Sequence, residues 1–172
     1  ASVYGAFFKH LKQSAQKTLV IAPADYQINN GEHEVYNEDA NSLIKRIEGD
    51  ILYLDPPYNS RQYSANYHLL NTIADYKSLT PKGKTELREY NKSNYCSKAK
   101  VQHTFKDLIR NARFRYIVLS YNNEGIMPMQ TIEQIMTKYG NYQMFQKEHQ
   151  RFKADKTENK NHLADTTTEY LQ

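Results

Sequence analysis

The stretch Asp50-Ile-Leu-Tyr-Leu-Asp-Pro-Pro-Tyr-Asn59 joins a short apolar run to an acid and then to two prolines. The continuous apolar residues 51–54 are typical of a strand buried on both faces of a parallel sheet. Each proline fixes its own φ, so the backbone leaves this strand in one defined direction directly after Asp55. A carboxylate at the end of a buried strand is costly to desolvate, and this predicts that Asp55 has a chemical use.

Alternating strands and helices are predicted on both sides of this strand. Further strands are predicted from short β-type runs at residues 18–22, 34–37, 116–121, 142–152 and 166–171. Helices are predicted from apolar spacing at residues 3–16, 40–47, 67–76, 101–112 and 132–139. The 172-residue chain is therefore expected to form one α/β domain, with an open, mostly parallel sheet that ends in a C-terminal β-hairpin.

Three polar residues follow predicted strands of this sheet. Asp39, Asp55 and Asn122 each come shortly after the end of a strand. In open α/β sheets the ligand crevice lies outside the carboxyl ends of the strands. We therefore expect these three side chains to converge on one edge of the sheet.

The charge distribution favours a polyanionic partner. The chain carries a formal net charge of +4 and has a pI near 9.0. Between Lys82 and Arg115 there are ten basic residues and three acids, with Tyr90 and Tyr95 among them. Mixed basic and aromatic residues suit phosphates and unstacked bases. A solvated helix face has a similar composition, so the charge pattern alone leaves both interpretations open.

Several classes of protein are excluded by composition. No run approaches the roughly 18 consecutive apolar residues of a membrane helix, and early lysines exclude a signal peptide. The chain is therefore expected to be soluble and cytoplasmic, with no membrane partner. The single Cys96 cannot form an internal disulfide, and the histidines lack metal-ligand spacing, so no metal site is expected.

The residues that follow the strand suit chemistry at the exocyclic amino group of adenine. The lone pair of this nitrogen is delocalised into the ring, so the nitrogen is a poor nucleophile. Two acceptors for its hydrogens, the Asp55 carboxylate and the Pro56 carbonyl, would aim the lone pair at an electrophilic carbon. The two prolines hold that carbonyl in one direction. Tyr58 offers a flat face for a base rotated out of a duplex.

The same residues carry a resemblance to a known family. Asp-Pro-Pro-Tyr at residues 55–58 matches the catalytic motif of the Dam-like (α-class) N6-adenine DNA methyltransferases, which use S-adenosylmethionine as methyl donor. Later parts of the family are similar to NSRQYSANYHLL at residues 59–70, YIVLSYNNEG at 116–125, RFKADKTENKNH at 151–162 and TTEYL at 167–171. The resemblance implies a partial Rossmann-like methyltransferase sheet and an activity on double-stranded DNA.

The resemblance also implies roles for individual residues. Asp55, Pro56 and Tyr58 would be catalytic or would hold the target base. Asp39, together with Asp55, would bind the donor. The residues expected to bind DNA or the base are Pro57, Asn59, Arg61, Tyr63, Asn122 and Asn123.

Most of these residues outside the motif have a structural alternative. Asp39 can cap the helix that follows it, and this role is compatible with donor binding. Asn122 and Asn123 can be turn residues that tolerate left-handed conformations. Tyr63 can be a core or surface aromatic, and Arg61 can pair with an acid instead of a phosphate.

The sequence departs from the family at the donor-binding loop. Family members have a glycine-rich turn that wraps the donor, but the six glycines of this chain include no Gly-x-Gly. In the Dam-like order that turn precedes the DNA-recognition region, so residues 1–17 are interpreted as the tail of the recognition region. We therefore expect residues 1–172 to be the catalytic half of a longer enzyme, with weak or no donor binding and no activity alone.

The favoured interpretation is a site-specific DNA adenine N6-methyltransferase that acts on a flipped-out adenine. A cognate restriction endonuclease is a further expected partner. One alternative is a ribosomal RNA guanine-N2 methyltransferase, which can carry a similar motif. The other is an inert DNA- or partner-binding remnant of the fold. The identity of the modified nucleoside distinguishes the ribosomal RNA enzyme from the favoured interpretation. The Asp55→Ala variant distinguishes the inert remnant, which would keep its nucleic-acid affinity and lose nothing else.

Overall fold

The computed structural model of the chain describes residues 13–18, 20, 22–26, 29–77, 80, 87–150 and 166–172. Within these residues the strands are β1 (Glu48–Leu54), β2 (Arg113–Asn122), β3 (Phe145–Gln150) and β4 (Thr166–Leu171). The α-helices are α1 (Ala40–Leu43), α2 (Tyr63–Asn66), α3 (His68–Asp75), α4 (Val101–Asn111) and α5 (Met129–Tyr139). Short 3-10 helices cover Gln13–Gln16 and Asn94–Cys96.

The described strands form one sheet in the order β1-β2-β4-β3. β1 and β2 run parallel, with Leu54 opposite Leu119, whereas β4 is antiparallel to both β2 and β3. The α/β class and the antiparallel pairing of the last two strands are therefore confirmed. The expectation of a mostly parallel sheet is wrong for the described strands, because β4 inserts between β2 and β3 and makes two of the three pairings antiparallel.

The core lies on one face of this sheet, under α4 and α5. In α4 the buried residues Val101, Phe105 and Leu108 recur at helical spacing, which gives the helix one apolar side. This side packs with Leu119 of β2 and Ile132 of α5, both fully buried. The predicted helices over 101–112 and 132–139 are confirmed in place, since α4 ends at Asn111 and α5 begins after Pro128.

The opposite face of the sheet is not covered by the described helices. Ile51 and Tyr53 of β1 are 66% and 61% exposed, and Tyr116 of β2 is 56% exposed. The prediction that the strands over 51–54 and 116–121 are buried on both faces is therefore wrong within the described residues. Both strands lie where they were predicted, but only alternate side chains such as Leu52 and Leu54 reach the core.

The segment before β1 differs from its prediction. Residues 34–37 belong to no strand, so the strand predicted there is wrong. The helix predicted over 40–47 ends at Leu43 and continues as a turn. Most of the helix predicted over 3–16, and part of the strand predicted over 18–22, fall outside the described residues. In the described part of the chain, no helix is both long and apolar enough to cross a membrane.

Candidate active site

A cavity of about 710 Å³ opens at the carboxyl end of β1. Its walls come from residues 37–40, from residues 53–57, and from the segment 91–95. Phe105 and Leu108 of α4 also line it, so the apolar side of that helix extends from the core into the cavity. Two of the residues expected to converge, Asp39 and Asp55, are brought together in this wall.

The Asp-Pro-Pro-Tyr motif forms the exit of β1. Asp55 follows the last residue of the strand, and the two prolines line the cavity beside it. The backbone carbonyl of Tyr58 accepts a hydrogen bond of 2.8 Å from the Ile126 amide. The Tyr58 ring packs edge-on against Tyr121, with centroids 6.3 Å apart and an interplanar angle of 83°. The loop after β2 therefore holds the far end of the motif in place.

Asp39 caps α1 at the cavity. Its Oδ1 accepts hydrogen bonds from the backbone amide of Ser42 at 3.0 Å and from the Ser42 hydroxyl at 3.3 Å. This is the side-chain geometry of a helix N-cap. The structural alternative for Asp39 is therefore confirmed, and its contact with the donor stays a prediction.

A hydrogen-bonded chain fixes the third wall of the cavity. The Tyr95 hydroxyl donates to Oδ1 of Asn41 at 2.9 Å, and Nδ2 of Asn41 donates to Asp107 at 2.9 Å and to the Thr104 carbonyl at 2.8 Å. The hydrogen bond from Asn41 lowers the pKa of Asp107. Burial raises the pKa of Tyr95, and the charges of Asp39 and Asp107 raise it further. Tyr95 therefore stays protonated and keeps its role as donor.

A second link joins this wall to the residues after the motif. The Ser93 amide donates to Oε1 of Gln62 at 2.9 Å, and Nε2 of Gln62 donates to the Ser93 carbonyl at 3.4 Å. Sequence reasoning missed Gln62 and Ser93, and it named Tyr95 only as part of a basic and aromatic mixture, because it treated the segment as a polar loop. Only the presence of Tyr95 among polar residues could have pointed to an anchored segment.

The predicted residues Asn122 and Asn123 hold a turn and a strand pairing. Oδ1 of Asn122 accepts from the Glu124 amide at 3.1 Å. Asn123 exchanges two hydrogen bonds with the backbone of Thr168, at 3.1 Å and 3.2 Å. Neither residue lines the cavity of Asp39 and Asp55. The structure thus supports their structural roles, and their contact with the base stays a prediction.

The other predicted residues lie along the segment that leaves the motif. Pro57 lines the cavity. Oδ1 of Asn59 accepts from the Arg61 amide at 2.9 Å and closes a turn, with both side chains exposed. Tyr63 begins α2, and its ring stacks on Tyr67. Among the described residues, no group of three or more histidines, cysteines, aspartates or glutamates could hold a metal ion.

Comparison with known proteins assigns the chain to a family. The sequence model of the D12 class N6 adenine-specific DNA methyltransferases matches residues 1–135, which include the Asp-Pro-Pro-Tyr motif and both aspartates of the cavity. The chain belongs to this D12 class. The expected resemblance to Dam-like adenine methyltransferases is therefore confirmed.

Curated relatives of this D12-class chain are bacterial and viral enzymes. It is 61% identical over 171 residues to the Type II methyltransferase M.NlaIII of Neisseria lactamica. This alignment covers 99% of the chain and 51% of the relative. It is 43% identical to the Type II methyltransferase M.FokI of Planomicrobium okeanokoites, over 90% of the chain and 25% of the relative. The Type II methyltransferase M.CviAII of Paramecium bursaria Chlorella virus 1 is 41% identical, over 88% of the chain and 46% of the relative.

The D12-class chain spans about half the length, or less, of these relatives. No solved structure matches it.

Proposed function

We propose that this chain carries the catalytic part of a DNA methyltransferase, which transfers a methyl group from S-adenosylmethionine to N6 of a flipped-out adenine. The observation that carries this proposal is the position of the Asp-Pro-Pro-Tyr motif. In a chain of the D12 class, the motif leaves a strand directly into a cavity that Asp55 lines. Acids at the carboxyl ends of parallel strands are well placed to meet a ligand.

The motif residues have complementary tasks in this proposal. The Asp55 carboxylate and the Pro56 carbonyl accept the two N6 hydrogens, which directs the nitrogen lone pair toward the methyl carbon. Tyr58 stacks on the flipped adenine, and its backbone bond to Ile126 keeps the ring in position. The methyl carbon would exchange its bond to the donor's sulfur for the new bond to N6, so S-adenosylhomocysteine is the leaving group. The nitrogen would then lose a proton on the side where Asp55 accepts.

The cavity suits the donor in size and charge. Its volume of about 710 Å³ lies within the roughly 300–1,000 Å³ that is usual for small-molecule sites. The lining acids Glu38, Asp39 and Asp55 outnumber the lining base Lys92, and this excess of negative charge complements a cationic ligand. We assign donor binding to Asp39 and Asp55. When bound there, S-adenosylmethionine supplies an electrophilic methyl group next to the motif.

Further proposals follow from this assignment. The parallel pair of β1 and β2 is proposed to be part of a larger, Rossmann-like sheet. The partners are double-stranded DNA, contacted through Asn59, Arg61 and Tyr63, and a cognate restriction endonuclease in the cytoplasm. Because the sequence contains no Gly-x-Gly, the chain alone is expected to bind the donor weakly and to be inactive.

The test is transfer of labelled methyl groups from S-adenosylmethionine to duplex DNA by the protein at its natural full length, followed by nucleoside digestion. We expect N6-methyladenine, and we expect Asp55→Ala to abolish it. Asp50→Ala is the matched control, because Asp50 is an exposed acid of β1, the strand that Asp55 follows, and it lies outside the cavity. A methylated guanine in RNA, or no product at all, would contradict the proposal.

A further inference from the structure

Two tyrosine rings stack on each other in the segment after the motif. The rings of Tyr63 and Tyr67 lie nearly parallel, with an interplanar angle of 5° and 6.0 Å between their centroids. Tyr63 is the first residue of α2, and Tyr67 follows the helix one turn later. The two rings therefore form one stacked aromatic pair, the Tyr63/Tyr67 platform.

The Tyr63/Tyr67 platform is open to solvent. Tyr63 is 53% exposed and Tyr67 is 39% exposed, whereas aromatic pairs that stabilise a core are buried on most sides. Among the described elements, α2 has close contacts with α3 only. Packing between the described helices and strands therefore does not account for the exposed parts of the two rings.

The platform lies next to the motif and has a fixed position. Tyr63 lies five positions after Tyr58 in the chain. Burial raises the pKa of its hydroxyl, and Tyr58 and Asp55 raise it further. Gln62, directly before α2, is held by two hydrogen bonds between its side-chain amide and the backbone of Ser93. A rigid surface of this kind loses little conformational entropy when a ligand stacks on it.

Positive charge surrounds the same segment. Arg61 is exposed directly before α2, and Lys98 and Lys100 are exposed after the wall that Gln62 holds. The Cys96 thiol donates to the Arg61 carbonyl at 3.8 Å, which brings these two parts of the chain together. Cations beside an aromatic surface match a nucleic acid, in which phosphates flank each flat base.

We propose that the Tyr63/Tyr67 platform binds a second nucleobase of the DNA, one unstacked when the target adenine leaves the duplex. This inference rests on the proposed function, since it needs a flipped target at Asp55 and Tyr58. Stacking of a base on an aromatic ring tolerates any sequence, because every base has a flat π face. The platform would thus stabilise the opened duplex without reading its sequence.

The test combines substitutions with abasic DNA, in the protein at its natural full length. Binding is measured for duplexes that carry the methylated sequence with one abasic position at each neighbour of the target adenine. We expect Tyr67→Leu and Tyr63→Leu to weaken binding of the intact duplex roughly 5- to 150-fold, the effect of losing one base–aromatic stack. At one abasic position the affinity of the wild type should fall by a similar factor. The leucine variants should bind that abasic duplex as weakly as they bind the intact duplex.

Two controls separate stacking from folding. Tyr67→Phe retains the ring and should bind as the wild type does. Tyr139→Leu removes a tyrosine with the same 39% exposure from α5, away from the motif, and should leave binding unchanged. Thermal melting of each variant reports whether it folds.

Failure of the platform and failure of the proposed function give different results. If wild-type protein methylates adenine but no abasic position couples to the leucine variants, the platform is wrong and the function stands. Leucine variants that bind normally but melt at a lower temperature would overturn the platform in favour of a covering protein segment. If the wild type produces no N6-methyladenine, the function itself fails.

Discussion

Asp39 and Asp55 line one cavity but are held by different means. Asp39 is fixed by its own side chain, which caps α1 through Ser42. Asp55 is oriented by the backbone, because β1 ends before it and two prolines follow it. The structural role of Asp39 can therefore be separated from its proposed role toward the donor, since an uncharged residue can also cap a helix.

Asp39→Asn should keep the fold and weaken donor binding. Asparagine caps a helix about as well as aspartate, so the melting temperature should change little, whereas the loss of charge should raise KM for S-adenosylmethionine. Asp39→Ala should raise KM and also lower the free energy of unfolding by about 0.5–2 kcal/mol. Melting curves and methyl-transfer kinetics measure the two effects. An unchanged KM in Asp39→Asn would leave Asp39 as a cap only.

The motif and Asp39 were predictable from sequence, but the contacts that hold the segment 91–95 of the cavity wall were not. Asp55 and Asp39 were found because a short apolar run or a helix start leaves a local pattern around each of them. Gln62 contacts Ser93 across 31 positions through side-chain to backbone bonds. Such contacts have no periodicity in the sequence, and only the folded chain brings these residues together.

At the scale of elements, α1 and α4 are joined by polar contacts beside the cavity. Asn41 connects Tyr95 to Asp107, and Asn111 also donates to Asp107 at 3.1 Å. These hydrogen bonds lower the pKa of Asp107 below its ordinary value of 3.8. A carboxyl with a lowered pKa stabilises the fold above the ordinary value, and this contribution is lost as the pH falls through the lowered pKa.

Asn41→Ala should therefore destabilise the chain more at pH 7 than at pH 3. At pH 7 the half-buried Tyr95 hydroxyl and the Asp107 carboxylate both lose a partner, which costs about 1–3 kcal/mol. Below pH 3.8 the difference from wild type should shrink as Asp107 becomes protonated. Denaturant unfolding at several pH values measures it. In an Asp107→Asn background the pH dependence of the difference should vanish; its persistence would assign it to another group.

The loop after β2 contacts Tyr121, and Tyr121 in turn contacts the motif. Tyr121 contacts Tyr58 edge-on, and its hydroxyl accepts from the Met127 amide at 3.2 Å. A Cβ atom added at Gly125 would lie 2.1 Å from the buried Tyr121 ring. Glycine is therefore required at this position for space.

Gly125→Ala should displace Tyr121 and disturb the Tyr58 ring that packs on it. Overpacking of this kind costs about 1–3 kcal/mol of stability, and methyl transfer should fall with it. Gly140→Ala is the matched control, because a Cβ there meets nothing within 4 Å and the backbone is extended at φ −170°. Equal melting temperatures for the two variants would show that Tyr121 can move aside freely.

At the scale of the whole molecule, sequence patterns located strands and helices better than they located neighbours. The strand predicted over 166–171 has the observed bounds of β4. Its place between β2 and β3 was not predicted, because strand order depends on contacts far apart in sequence. The apolar run at residues 51–54 led us to expect burial of both sheet faces, but Ile51 and Tyr53 are exposed. An apolar run does not specify what covers each face of the strand.

The uncovered face of β1 and β2 has a consequence for handling the isolated chain in solution. This face exposes the large hydrophobic side chains of Ile51, Tyr53 and Tyr116. Among the described strands, β1 pairs with a neighbour along one edge only. Free edges beside apolar faces template the addition of further copies. The isolated chain should therefore aggregate as its concentration rises. Light scattering measures this, and the Ile51→Lys variant should begin to aggregate only at a higher concentration.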